Sequence, residues 1–187
     1  NVGRKGLIMA MTLITDNSSD TTDLSSVDFT SGIDSTYKLY IFSFYDINPA
    51  SDGAGFQFQV NASGQSGFNK NIKITHYLMR HEEDDSPAEW TQDASSDQAS
   101  GTGYQTIAEG IGNGADESAA GYLYLFNPSD TTYIKHWWSR CNAYRLENMS
   151  VNIWVDGHFD VTAAIDEVSF KMSSGDWDGI VKMYGVT

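Results

Sequence analysis

"GFQFQV", residues 55–60, sets Phe56, Phe58 and Val60 on one side of an extended chain and Gln57 and Gln59 on the other. Successive side chains of a β-strand point to opposite faces, so this two-residue period marks a strand with one apolar face. The period recurs on both sides of it. "NIKITHYLMR" (71–80) alternates Ile72, Ile74, His76 and Leu78 against Lys73, Thr75, Tyr77 and Met79. "SVNIWV" (150–155) carries Val151, Ile153 and Val155 inward, and "DEVSFKM" (166–172) does the same with Val168, Phe170 and Met172. "YKLYIFSFYDI" (37–47) is apolar on both faces, as a central strand should be. "GYLYLF" (121–126) and "TYIKHWW" (132–138) read as aromatic-rich strands. Leu7 to Ile14 reads as a first, buried strand; Val27–Thr30 and Gly179–Gly185 complete the set.

The breaks between these runs are rich in Gly, Asn, Asp, Ser and Pro, which supply positive φ angles or local side-chain bonds. About ten short strands at this spacing predict an all-β protein. The expected architecture is a single antiparallel β-sandwich domain over residues 1–187, jelly-roll-like. Helix is confined to one turn within "YQTIAEGIGNGADES" (104–118), where three glycines weaken it. His81 to Ala120 breaks the rhythm with a long polar loop. Glu82, Glu83, Asp84, Asp85, Glu89, Asp93 and Asp97 occur there without one Lys or Arg. Short strands are expected in it near Ala88–Thr91 and Tyr104–Ile107.

With 40% of its residues hydrophobic and 13% aromatic, the chain has enough apolar mass for a core, which argues against disorder. A net charge of −14 argues against nucleic acid, which requires a basic footprint, and against anionic membrane surfaces. Arg4 and Lys5 before an apolar run imitate a signal peptide, but no small-x-small cleavage site follows and the run is too short to span a bilayer. No membrane insertion is expected. Cys141 is the one cysteine, so no internal disulfide forms. Its place in an aromatic strand predicts a buried, inert thiol.

Motifs that carry chemistry fail on spacing. Asp176-Trp177-Asp178-Gly179 imitates a calcium loop, but Gly stands fourth and Ile180 fifth, where an EF-hand needs Gly sixth and an oxygen ligand fifth. A hairpin between Phe170–Met172 and Val181–Met183 explains it better. The consecutive carboxylates after His81 point alternately to opposite faces of an extended chain and do not converge on one ion. His76, His81, His136 and His158 form no zinc signature. "SGQSG" (63–67) lacks the nucleophile-elbow spacing, and "GIGNG" (110–114) is not a dinucleotide fingerprint. No metal, no cofactor and no catalytic residue is predicted. A glycosidase carboxylate pair would need a separation that sequence does not give.

The tryptophans remain: Trp90, Trp137, Trp138, Trp154 and Trp177. Trp137 and Trp138 are adjacent on a strand, so one enters the core and the other lies on an outer face or a subunit contact. Trp90 and Trp177 fall in loops, where an exposed ring calls for a ligand or partner. A sugar offers polar edges and an apolar face, so acceptors beside flat rings suit it. The candidate glycan or partner contact is therefore Trp90, Tyr104, Asp84, Asp85, Asp93 and Trp177. The competing reading packs Trp90 under its own loop or against a neighbouring subunit.

Three stretches, "VDFTSGIDSTYKLYIFSFYDINPASDGAGFQFQV" (27–60), "ADESAAGYLYLFNPSDTTYIKHWWSR" (115–140) and "FKMSSGDWDGIVKMYG" (170–185), together resemble a family of structural proteins of tailed bacteriophages, especially marine ones infecting cyanobacteria and related hosts. The resemblance runs from Lys5 to Val186 and marks strands and turns, not chemistry. It implies a non-enzymatic virion component: a tail-fibre tip, a head fibre or a capsid or tail decoration, assembled in the host cytoplasm. With the surplus of strand aromatics, it implies a homo-oligomer, a trimer, that also contacts other virion proteins and host-surface glycans. The alternatives are a lectin-like carbohydrate-binding module without a structural role and a glycan-cleaving enzyme.

Overall fold

The computed structural model describes residues 10–82, 84, 89–92, 94 and 96–187. Among these residues there is no helix, and every strand pairing is antiparallel. The strands are β1 (Met11–Asp16), β2 (Val27–Phe29), β3 (Leu39–Pro49), β4 (Ala54–Ala62), β5 (Ile72–Glu82), β6 (Glu89–Gln92), β7 (Gln105–Ile111), β8 (Ala119–Phe126), β9 (Lys135–Arg145), β10 (Met149–Phe159), β11 (Ile165–Met172) and β12 (Trp177–Val186). A long run is ordered β1-β12-β3-β8-β9-β10-β5-β6. A shorter arm is ordered β7-β4-β11-β2. Run and arm join where Ile111 of β7 meets Arg145 of β9, so the strands form one sheet curled into a half-barrel.

Aromatic rings fill the inside of the curl. Phe170 of β11 lies 5.4 Å from Phe42 of β3 and stacks on Phe56 of β4 at 5.6 Å. Phe56 also meets Trp177 of β12 at 5.2 Å and Phe44 of β3 at 5.2 Å. Phe58 meets Trp137 of β9 at 4.6 Å and Phe159 of β10 at 5.8 Å. These rings come from inward positions of the two-residue period, and their offset and edge-on geometries are those that aromatic quadrupoles favour. Val60, Val151, Ile153, Val155, Val168 and Leu123 are buried with them, as the alternation requires.

Three expectations are corrected. β1 is an exposed edge strand, not a buried one: among the described residues its one strand neighbour is β12, and Met11 and Leu13 are 55% and 48% exposed. Leu7 to Met9 lie outside the described residues. The helical turn expected in 104–118 is absent: Gln105–Ile111 form strand β7, with Ile107 buried, and 112–118 are loop and turn. On the polar face of "GFQFQV", Gln57 is half-buried and Gln59 fully buried. Its amide donates to the carbonyls of Lys70, Thr102 and Gly103 at 3.0, 3.2 and 2.9 Å, and its oxygen accepts from Val60 N–H at 2.8 Å. Gln59 thereby pins the segment before β7 across the back of β4.

The third correction concerns 173–176, which is no hairpin. β11 pairs with β4 and β2 in the arm, whereas β12 pairs with β3 and β1 in the run. The segment crosses from one side of the curl to the other, turning at Gly175 with φ +71°, a left-handed conformation open to glycine. The crossing swings Trp177 into the core at 1% exposure rather than into a loop. Asp178 accepts from the Asp23 N–H at 2.9 Å, and the Asp176 carbonyl accepts from Ala50 N–H at 2.8 Å, so both residues tie neighbouring loops together. Because the Trp177 ring joins the two halves of the core, Trp177→Ala is expected to lower stability by ~3–5 kcal/mol in urea unfolding followed by far-ultraviolet circular dichroism.

Candidate functional site

The strands of the long run carry the core on one side and, among the described residues, no second layer on the other. Residues opposite each other in antiparallel register share a face. One such row reads Lys182 (β12), Ser43 (β3), Tyr122 (β8), Arg140 (β9), Trp154 (β10), Tyr77 (β5) and Gln92 (β6). The next reads Tyr184, Ile41, Tyr124, Trp138, Asp156 and Thr75. Another sets Asn142, Asn152, Met79 and Trp90 side by side. All these positions alternate with the core positions, so their side chains form the outer face.

The rings on this face are organised. Trp138 stacks on Tyr124 at 4.1 Å with planes 10° apart. The Arg140 guanidinium lies 4.6 Å over the Trp154 ring, a cation–π contact, while its Nε donates to Asn152 Oδ1 at 3.3 Å. Trp90 lies 6.2 Å from Tyr77 and is 76% exposed. Trp154, Tyr122 and Met79 are also exposed. Between the rings run shallow clefts. One of about 310 Å³ lies between Tyr77, Met79, Trp90, Trp154 and Asp156. A second, of about 400 Å³, lies between Trp154, Asp156, Trp138, His136 and Phe126. A third is walled by Trp138, Tyr124, Arg140, Asn142 and Tyr122. A fourth is walled by Tyr122, Tyr45, Lys182 and Tyr184. Among the described residues, the Asp156 carboxylate has no hydrogen-bond or ion-pair partner, and neither do the hydroxyls of Tyr77, Tyr122 and Tyr124.

No protein-family model matches the chain, and neither a curated protein nor a solved structure is found to be similar to it.

The residues expected to form a contact do not come together. Trp90 stands on edge strand β6 and joins the outer face of the run. Tyr104 lies on the back of the arm: its hydroxyl donates to Ser169 Oγ at 3.0 Å, Ser169 Oγ donates to Asp28 at 2.5 Å, and Lys171 Nζ sits 4.4 Å over its ring. Burial raises its phenol pKa. Trp177 is in the core and presents no surface. Asp84 is exposed in a turn, while Asp85 and Asp93 lie outside the described residues. Asp97 is used within the fold, accepting from the His76 N–H at 2.8 Å and from Gln92 at 3.2 Å. Tyr77, Trp154, Arg140, Tyr122, Tyr124 and Asp156 were not singled out from sequence. They are the complement of the core alternation in "NIKITHYLMR", "SVNIWV" and "GYLYLF". Trp138 fulfils the expectation that one of the adjacent tryptophans faces outward, with Trp137 buried at 2%.

Cys141 is buried, and its thiol donates to the Ile107 carbonyl at 3.0 Å. Burial, and then the Glu109 carboxylate, push its pKa far upward, which suits an inert thiol. Among the described residues no group of three or more His, Cys, Asp or Glu side chains is placed to hold a metal ion. At one end of the outer face, the His136 and His158 rings lie 5.7 Å apart on directly opposed residues of β9 and β10.

Two outcomes follow from this geometry. Trp90→Ala and Trp154→Ala each remove an exposed ring, so each should change stability by no more than about 1 kcal/mol in urea unfolding. That outcome separates an exposed platform from a packed residue. Burial, then the His136 ring and Lys73, hold the His158 pKa below its ordinary 6.5. The unfolded chain thus binds this proton at a higher pH than the folded one does. The contribution of His158 to stability is complete above 6.5 and is lost as pH falls through the folded value. A melting-temperature series from pH 8 to pH 5 should fall, and His158→Asn should flatten that fall.

Proposed function

We propose that this chain is a non-enzymatic structural subunit of a tailed-phage particle, and that the outer face of its long run is its attachment surface for host glycans. The observation that carries the reading is the unpartnered aromatic face. Trp154, Trp138, Tyr124, Tyr122, Tyr77 and Trp90 present ring faces interleaved with Arg140, Asn152 and Asp156, with no layer above them among the described residues. A ring platform with acceptors in its plane matches the apolar face and polar edge of a sugar. The resemblance of the three quoted stretches to phage structural proteins supplies the particle. The finer architecture in this reading is a jelly-roll-like β-sandwich, with the arm as one layer and the run as the other. Facing rings such as Phe170 with Phe42, and Phe58 with Trp137, support that description.

Self-association belongs to the opposite end of the run in this reading. Among the described residues one edge of β1 is free there, with Met11 and Leu13 exposed, the kind of edge another chain can pair with or cover. The expected assembly is a trimer. Light scattering coupled to gel filtration should give about three times 20.6 kDa. An antibody to the folded domain should label purified phage particles at one structural position, and Trp154→Ala particles should assemble normally but adsorb poorly to host cells. A stable monomer at micromolar concentration would remove the trimer, and unlabelled particles would remove the virion assignment.

A further inference from the structure

We infer that the outer face takes one extended, uncharged polysaccharide chain lying across the strands, along the row of clefts, with Trp154 as its central platform. The inference rests on the reading of this face as a glycan contact and adds the orientation and charge class of the ligand.

Orientation follows from how the clefts are divided. Trp154 and Asp156 line both the first cleft and the second. Trp138 lines the second and the third, and Tyr122 the third and the fourth. The dividing rings stand on β10, β9 and β8, consecutive neighbours in the sheet. Neighbouring strands lie ~4.8 Å apart, a repeat comparable with one pyranose unit of an extended polymer. A polymer crossing the strands meets one ring per strand. A polymer running along a strand meets a ring only where that strand supplies one.

Charge class follows from the groups between the rings. Asp156 and the three tyrosine hydroxyls have no partner among the described residues, so they can take sugar hydroxyls without breaking existing bonds. The one guanidinium in the middle of the face is committed: Arg140 lies on Trp154 and is bonded to Asn152. It stands diagonally beside the opposite charge of Asp156. The face therefore offers no free cationic cluster for sulfates or uronates, and a net charge of −14 repels a polyanion at long range. Against a protein partner stands Asp156, a carboxylate unpaired among the described residues and shared by two of the clefts, because the core of a protein interface is depleted of Asp.

The test is calorimetric titration of the whole chain with cellohexaose, maltohexaose and mannohexaose, their mono- and disaccharides, and dextran sulfate. At least one neutral hexasaccharide should bind, at least about tenfold more tightly than its disaccharide, because successive clefts are filled. Trp154→Ala should lower that affinity by about tenfold or more, as for a central contact residue. Tyr133→Ala removes an exposed ring that lines none of these clefts and should leave affinity unchanged. A preference for dextran sulfate, an affinity already complete with the monosaccharide, or binding of no hexasaccharide at millimolar concentration would each overturn the inference. If no sugar binds yet Trp154→Ala particles still fail to adsorb, the sugar is wrong and the attachment face stands. If binding and adsorption are both unaffected by Trp154→Ala, the inference and the reading beneath it fall together.

Discussion

Contact between Phe56, Phe170 and Trp177 holds the curl closed. The three rings belong to β4, β11 and β12, so they touch both the arm and the long run. The joining ladder between the halves is slight, with Ile111 opposite Arg145 and an isolated bridge between Leu24 and Trp177. Backbone hydrogen bonds along the two halves fix each strand to its neighbour, but they do not press one half against the other. Burial of ring surface does that, at roughly 25 cal/mol for each Å² removed from water. Everything on the outside of the run depends on it. A strand whose inner face is locked cannot rotate, so its outer side chains are held in register.

That constraint explains why an exposed aromatic face can be ordered without a layer above it. Trp138 and Trp154 are fixed from beneath by the packing of Trp137, Ile153 and Val155, their neighbours in sequence on the inner side. Lateral contacts complete the support, Tyr124 for Trp138 and Arg140 for Trp154. The rings are therefore positioned before any ligand arrives, and little side-chain entropy is left to lose on binding. A loop could not supply this. The acidic segment after β5 contributes its hydrogen bonds to the fold instead, through Asp97 and Gln98 against the backbone of β5.

The core was legible in the sequence because alternation is a local property. Phe56, Phe58, Val60, Val151, Ile153 and Phe170 could each be placed inward from neighbours within a few residues. The outer face was half legible. The same alternation puts Trp154 and Tyr122 outward, but nothing local says that β8, β9, β10 and β5 lie side by side, and only that register makes a surface of them. Trp177 was misread for a related reason. Glycines on both sides of an acidic pair describe a reversal, and a hairpin and a crossing between the halves share that composition. The partners of β11 and β12, far away in sequence, decide between them. Gln59 shows the limit of polarity as a guide: its amide is buried because three carbonyls of distant segments converge on it.

The pairing of β1 with β12 bears on how the protein is made. Asn17, just past β1, accepts from the N–H of Val181 across 164 positions of sequence at 2.7 Å, and among the described residues β1 has no other strand beside it. Its partner does not exist until the strands between them have been made. The middle strands can zip earlier, since β8, β9 and β10 are joined in sequence by short connections. β1 must wait, unpaired, while β2 to β11 are synthesised. Sheets dominated by such distant contacts fold slowly, and a waiting edge can pair with the wrong chain. The interval between the emergence of β1 and that of β12 is when the chain is most exposed to aggregation.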